Sequence, residues 1–237
     1  MTALSQQRSW PEHVTNLISN TGEVVNLIHL HAAIVGGRRG RPPNLEVLSK
    51  SAVVLLVACW EAYIEDLASN SFEFLLANAA SPDTFPAKVL AVASRSLREG
   101  SDARSVWKLA GEGWRAVLIQ HKTAVFDRYI GRLNTPRPSQ IDALLEELIG
   151  LKKLSQTWKW RGMSNRSAID KLGRLITLRG EIAHRVNVSR SVRRRYVESS
   201  TGFVNRLAAT SSNVTREHLM LKTNIEPWVR VTYGETG

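Results

Sequence analysis

From about Leu45 to Ala79 the chain carries one long run of helical period. Its first half, through Val53-Val54-Leu55-Leu56-Val57-Ala58-Cys59-Trp60, is nearly all apolar. A helix that is apolar all round must be covered on several sides, so this segment is expected to be the central helix of a bundle. Strand signals are scarce elsewhere, and the fold class expected is all-α. The apolar run itself ends at Glu61, short of the ~20 residues that a membrane span needs. Met1 to Pro11 is polar rather than a secretory leader. The single cysteine, Cys59, excludes an internal disulfide and a cysteine-based zinc site, and suits a reducing, cytoplasmic setting as a core filler.

Other helices follow the same period. Val14, Leu17, Ile18, Val24, Val25, Ile28 and Ile34 recur over Glu12 to Val35, with Gly22 as a weak point and Gly36-Gly37 as the stop. His29 and His31 are two apart, so they point different ways and make a poor metal pair. A cationic loop with Arg38, Arg39 and Arg41 leads to Asn44, a plausible cap for the central helix. Ala87 to Arg98, Ser101 to Glu112, Trp114 to Gln120 and Lys122 to Leu133 are expected as short helices, an elaboration over residues 80–160. Ser139 is placed to cap Gln140 to Ile149, and Trp158 and Trp160 lie in a basic, aromatic loop. The last helical region ends near Thr223, and residues 224–237 read as an extended, loosely held tail. The whole, residues 1–237, is expected to form one domain with its core over about 12–225.

One stretch stands out. After a cap at Ser164 or Asn165, a helix to about Val188 carries Leu172, Leu175, Ile176, Ile182, Ala183 and Val186 on one broad face, and Arg179 falls near its middle. Burying an unpaired cation is expensive, so that arginine needs a reason. His184 lies about 140° round the helix from it, so the pair can meet only at a groove edge. Glu181 and Arg185, four apart, are spaced to pair on an outer face. Glu61 and Glu65 interrupt the central helix on one shared face, as a solvated edge or as partners for a buried arginine. Arg179 and His184 therefore read either as a buried ion-pair partner and a packed histidine, or as a phosphate-binding cation and a proton-transfer group.

The charge balance favours a polyanion. The 237 residues carry a formal net charge of +11, and the pI is near 10.3, which directs attention to nucleic acid first and to an anionic membrane second. Arg190, Arg193, Arg194 and Arg195 follow the key helix and, with Arg185 near its end and the Arg38-Arg39-Arg41 loop, could hold an RNA backbone without reading its sequence.

These residues resemble the HEPN superfamily, and within it the RiboL-PSP type. The resemblance rests on Arg179, four intervening residues and His184, on Trp60-Glu61-Ala62-Tyr63 in the long earlier helix, on Asn134-Thr135-Pro136, and on the Trp158 region. It implies a HEPN-like four-helix up-down bundle with additional short helices inserted in the middle of the chain. It further implies a homodimer formed through the 165–188 helix, whose two arginines and two histidines share one cleft. The activity implied is metal-independent endoribonuclease cleavage leaving a 2′,3′-cyclic phosphate, in a toxin–antitoxin or anti-phage setting, with RNA and an antitoxin or other defence protein as partners. In that site Arg179 would stabilise the phosphorane and His184 transfer protons, with Glu61, Glu65 or Glu181 in support and neither metal ion nor cofactor required. Other HEPN proteins are catalytically inactive modules that bind RNA or a protein, and one departure points that way: active members often carry a polar residue after the arginine, where this chain has Gly180.

Overall fold

A computed structural model describes residues 10–35, 45–130, 137–184 and 191–233. Among them the chain forms eight α-helices: α1 (Glu12–Val35), α2 (Glu46–Asn78), α3 (Ala87–Ala93), α4 (Arg95–Glu99), α5 (Gly113–Ile130), α6 (Pro138–Ile149), α7 (Asn165–His184) and α8 (Arg194–Thr223). Three short 3₁₀ turns join them, and among the described residues there is no strand beyond a single bridge between Trp160 and Met163. The all-α class is as the sequence implies.

Helix α2 is the axis of the bundle. It packs against α1, α8, α7 and α6, and Val53, Leu56, Trp60, Leu67 and Leu75 around its circumference are wholly buried. This explains a sequence with no polar face. The helix continues well past Glu61, and by length and composition it could cross a bilayer, with a window of mean hydropathy 1.6. In this fold the other long helices cover that apolar surface instead.

An aromatic knot fixes the centre. Trp60 stacks on Tyr63 at 5.5 Å between ring centroids and meets Trp158 edge-on at 6.1 Å. Tyr63 Oη donates to the Ala208 carbonyl at 2.7 Å, and Trp158 Nε1 donates to Ser211 Oγ at 2.9 Å. Burying these rings without those acceptors would leave two donors unsatisfied. So the α6–α7 connection and α8 are both tied to α2, and Trp158 is a core residue.

Several sequence expectations shift. Helix α5 runs unbroken through Gln120 to Lys122, because His121 is buried and its Nε2 pairs with the Glu147 carbonyl at 2.9 Å. Helix α6 starts one residue before the expected cap Ser139: Pro138 occupies its first turn, and Gln140 Oε1 accepts from the Arg137 N–H at 2.9 Å. It stops at Gly150, whose φ of +73° is left-handed. Ala87 to Arg98 divides at Ser94 into α3 and α4. Asn44, as a cap for α2, lies outside the described residues.

The tail is not loose up to Tyr233. Asn213 on α8 accepts from the Val231 N–H at 2.8 Å and donates to its carbonyl at 2.9 Å. Arg216 Nε donates to the Trp228 carbonyl at 2.8 Å, and its guanidinium pairs with Glu226. Val231 is buried as a result. One asparagine satisfying both polar groups of a residue is the physical reason the segment stays down.

Candidate active site

Ser164 starts α7, its Oγ accepting from the Ser167 N–H at 3.1 Å. Ala168, Leu172, Leu175 and Ile176 are then buried. Arg179 continues the same stripe but is only half-buried; Ile182 is half-buried too, while Ala183 and His184 are exposed. The core therefore runs out over the last two turns of α7, and Arg179 stands at the transition. Its Nε is nevertheless buried, with no hydrogen-bond partner.

An acid that feels this cation comes from α2. Glu61 is half-buried and its Oε1 is likewise buried without a hydrogen bond. Burial pushes its carboxyl above the ordinary carboxylate range; the Arg179 guanidinium pulls it down and the Glu65 charge pushes it up. Glu65 is also half-buried and raised, first by burial and then by Asp66. So neither acid is a solvated edge. Glu61 is the one that feels Arg179.

His184 is the last residue of α7 and lies out in solvent. It is about 7.5 Å further along the axis than Arg179 and about 140° round it. Among the described residues no hydrogen bond joins the two side chains. One chain thus presents the cation against α2 and the imidazole outward. Glu181 is exposed, and its expected partner Arg185 lies outside the described residues. Arg38, Arg39, Arg41 and Arg190 lie outside them as well, as do Asn134, Thr135 and Pro136. Arg193, Arg194 and Arg195 are exposed at the start of α8, with Arg194 held 3.3 Å from Glu198.

Two glycines mark the outer side of α7, and the first of them belongs to no motif in the sequence. Gly173 and Gly180 are seven apart on one side of α7, with Thr177 and His184 close to the same line. A Cβ at either glycine would meet nothing within 4 Å. Two helical glycines at heptad spacing were the available signal. Elsewhere, burial raises the Cys59 thiol, which argues against a nucleophile. Among the described residues no group of three or more His, Cys, Asp or Glu is placed to hold a metal ion.

A bundle around one long apolar helix, with arginine and histidine five apart at the end of the penultimate helix, has the features of a HEPN domain. The RiboL-PSP-HEPN family profile matches residues 15–213, most of the chain, and the protein belongs to that family. The match runs from α1 into α8 and leaves the Asn213-anchored tail beyond its end. No curated protein and no solved structure matches the chain.

Proposed function

We propose that this protein is a metal-independent endoribonuclease that acts as a homodimer, with Arg179 and His184 of both chains in one cleft. The observation carrying this reading is Arg179 itself. It is a half-buried cation at the end of a core-facing stripe, with a buried Nε left without a hydrogen bond, one and a half turns before an exposed histidine. Membership of the RiboL-PSP-HEPN family supports an RNA-related role.

The chemistry follows from the groups present. The ribose 2′-oxygen attacks phosphorus while one His184 imidazole takes its proton. The bond from phosphorus to the 5′-oxygen breaks, and the second chain's imidazolium protonates that leaving oxygen. The products are a 2′,3′-cyclic phosphate and a 5′-hydroxyl. Arg179 offers a planar fork to the two non-bridging oxygens as negative charge builds on them. A two-fold axis beside Gly173 and Gly180 would bring the His184 side chains towards each other, since neither glycine holds a partner helix away. Such an enzyme would act in the cytoplasm, as the toxic half of a toxin–antitoxin pair or in anti-phage defence, held in check by an antitoxin.

Gly180 favours a second reading, a catalytically inactive HEPN module that binds RNA or a protein. The two are separated by incubating the protein with diverse RNAs in a chelator beside His184→Ala. The nuclease reading expects cyclic-phosphate ends from the wild type and a loss of about 100- to 10,000-fold in the variant. Equal inertness of both, with salt-sensitive RNA binding retained, would establish the second reading instead.

A further inference from the structure

Helix α7 has three sides. Leu172, Ile176 and Arg179 look into the bundle, and Gly180 and His184 lie about 100–140° from Arg179 in one sense. Lys171 and Arg174 lie about 80–140° from it in the other sense, toward α8. On that third side a second set of residues gathers from three separate segments. Lys171 Nζ reaches the Ser199 carbonyl at 3.4 Å and Ser199 Oγ at 3.3 Å, and sits 4.8 Å from the centre of the Phe203 ring. Phe203 packs against Trp160 at 6.1 Å, and the Arg206 guanidinium lies over the Trp160 ring at 5.5 Å. Trp160 is held by the paired backbone bonds to Met163, 3.1 and 2.9 Å, across a tight turn that leaves Arg161 exposed.

The charges in this cluster have no internal counterweight. Among the described residues none of Arg161, Lys171, Arg174 and Arg206 forms an ion pair. Cations in the middle of the chain do: Lys88 with Glu146 at 2.9 Å, Lys122 with Glu73 at 2.6 Å and Arg128 with Glu147 at 3.0 Å. The ammonium of Lys171 is held below the usual lysine range, first by burial and then by Arg174. Glu198 is taken by Arg194, and Asp170 makes no ion pair with its neighbours. Like charges gathered on one side with no ion-paired acid among them suit an external polyanion.

The half-open indole among these cations says which polyanion. An acidic peptide would require cations alone, whereas the half-open Trp160 indole, with the Arg206 guanidinium over it and the buried Phe203 ring behind it, offers a flat surface to a base between the points that hold phosphates. We infer that Trp160, Arg161, Lys171, Arg174 and Arg206, backed by the buried Phe203, form a binding track for single-stranded RNA, on a side of α7 distinct from the Gly180–His184 face. The inference rests on the RNA-directed reading above. Arg195, four residues before Ser199 on α8, extends the same side toward the arginine-rich connection.

The test uses the full chain carrying His184→Ala, so that cleavage does not interfere, and a fluorescein-labelled single-stranded RNA of about 12 nucleotides. Anisotropy titrations over a salt series give affinity and its salt dependence. Replacing Lys171, Arg174 and Arg206 by Gln keeps their stems and is expected to lower affinity about tenfold or more. The slope of log K against log salt should fall by about 2, roughly 0.7 for each phosphate contact. Trp160→Leu should weaken binding about fivefold or more with the slope unchanged. The charge-matched control, Lys88, Arg95 and Arg104 to Gln, should change affinity by less than about twofold. If the triple variant has lost its helical melt, Arg174→Gln alone, at an exposed position, should still lower the slope by about 0.7. The track is refuted if the patch variants bind no worse than the control. It is also refuted if Trp160→Leu binds normally and polyglutamate competes as well as RNA, which would mark an acidic protein as the partner. A parent protein that binds no RNA even at low salt would overturn the RNA-directed reading itself, an outcome distinct from either of those.

Discussion

Glu61 on α2 and Arg179 on α7 interact through their charges, yet Oε1 of the one and Nε of the other stay buried without a hydrogen bond. For Glu61 the cost of burial outweighs the attraction of the guanidinium, since its carboxyl remains above the ordinary range. Above the unfolded carboxylate pKa the fold therefore binds more protons than the unfolded chain, and this residue's contribution to stability declines as pH rises. A pair kept at a cost in stability is better explained by positioning than by structure. Glu61→Gln keeps the shape and removes the charge. Its melting temperature at neutral pH should be unchanged or higher, while the proposed cleavage falls by up to about 100-fold through a misplaced Arg179. A lower melting temperature with full activity would make the pair structural.

The end of α6 gives a sharper stability test. Gly150 has φ +73°, and a Cβ there would sit 2.1 Å from Pro86 Cγ. Gly162 has φ +79° with nothing within 4 Å. Gly162→Ala should cost only the left-handed conformation, about 1–2 kcal/mol. Gly150→Ala adds the collision with the turn before α3, and should cost about 2–4 kcal/mol in urea unfolding. Equal losses at the two glycines would mean that Pro86 moves aside freely.

What the sequence could tell follows from what each feature depends on. The extent of α2, the stripe of α6 and the buried stripe of α7 from Ala168 to Ile176 depend on local period alone, and all three are visible in the residue order; that the stripe gives out at Arg179, with Ala183 exposed, is not. Which of Glu61 and Glu65 meets Arg179 depends on how α7 lies across α2, and the residue order does not contain that. The unbroken α5 turns on a tertiary bond from His121 to Glu147, and the anchored tail on Asn213. The cluster around Trp160 draws on three segments that only packing brings together. Trp158 and Trp160, two residues apart, went separate ways for the same reason: one is sealed between α2 and α8, and the other is left half-open.

His13 sets the acid limit of the fold. It is fully buried between Tyr63 and Trp228, with Nε2 2.9 Å from Ser212 Oγ and Nδ1 3.4 Å from Asn70 Nδ2. Burial lowers its pKa to about 3. Below about pH 6.5 the unfolded chain binds a proton here that the fold refuses, so stability falls as pH drops, by about 1.4 kcal/mol per unit until the folded pKa is reached. Between pH 7 and 4.5 the wild type should lose about 2–3 kcal/mol more than His13→Gln in urea unfolding. Parallel pH profiles for the two proteins would show that His13 is protonated without unfolding.

The open side of α7 separates folding from assembly. Gly173 and Gly180 each weaken a helix by about 1 kcal/mol relative to alanine, and neither has a neighbour that excludes a side chain. Gly180→Ala should therefore raise stability by about 0.5–1 kcal/mol. Leucine at both positions should also leave the single chain folded, because its side chains enter open space and improve helix propensity. Those same side chains would stand between two α7 helices. On the proposed two-chain nuclease, light scattering should then show monomers, and cleavage should be lost although Arg179 and His184 are intact in every chain. A double leucine variant that still dimerises and still cuts RNA would remove this face from the interface. The two-chain site would then have to be built on another side of α7.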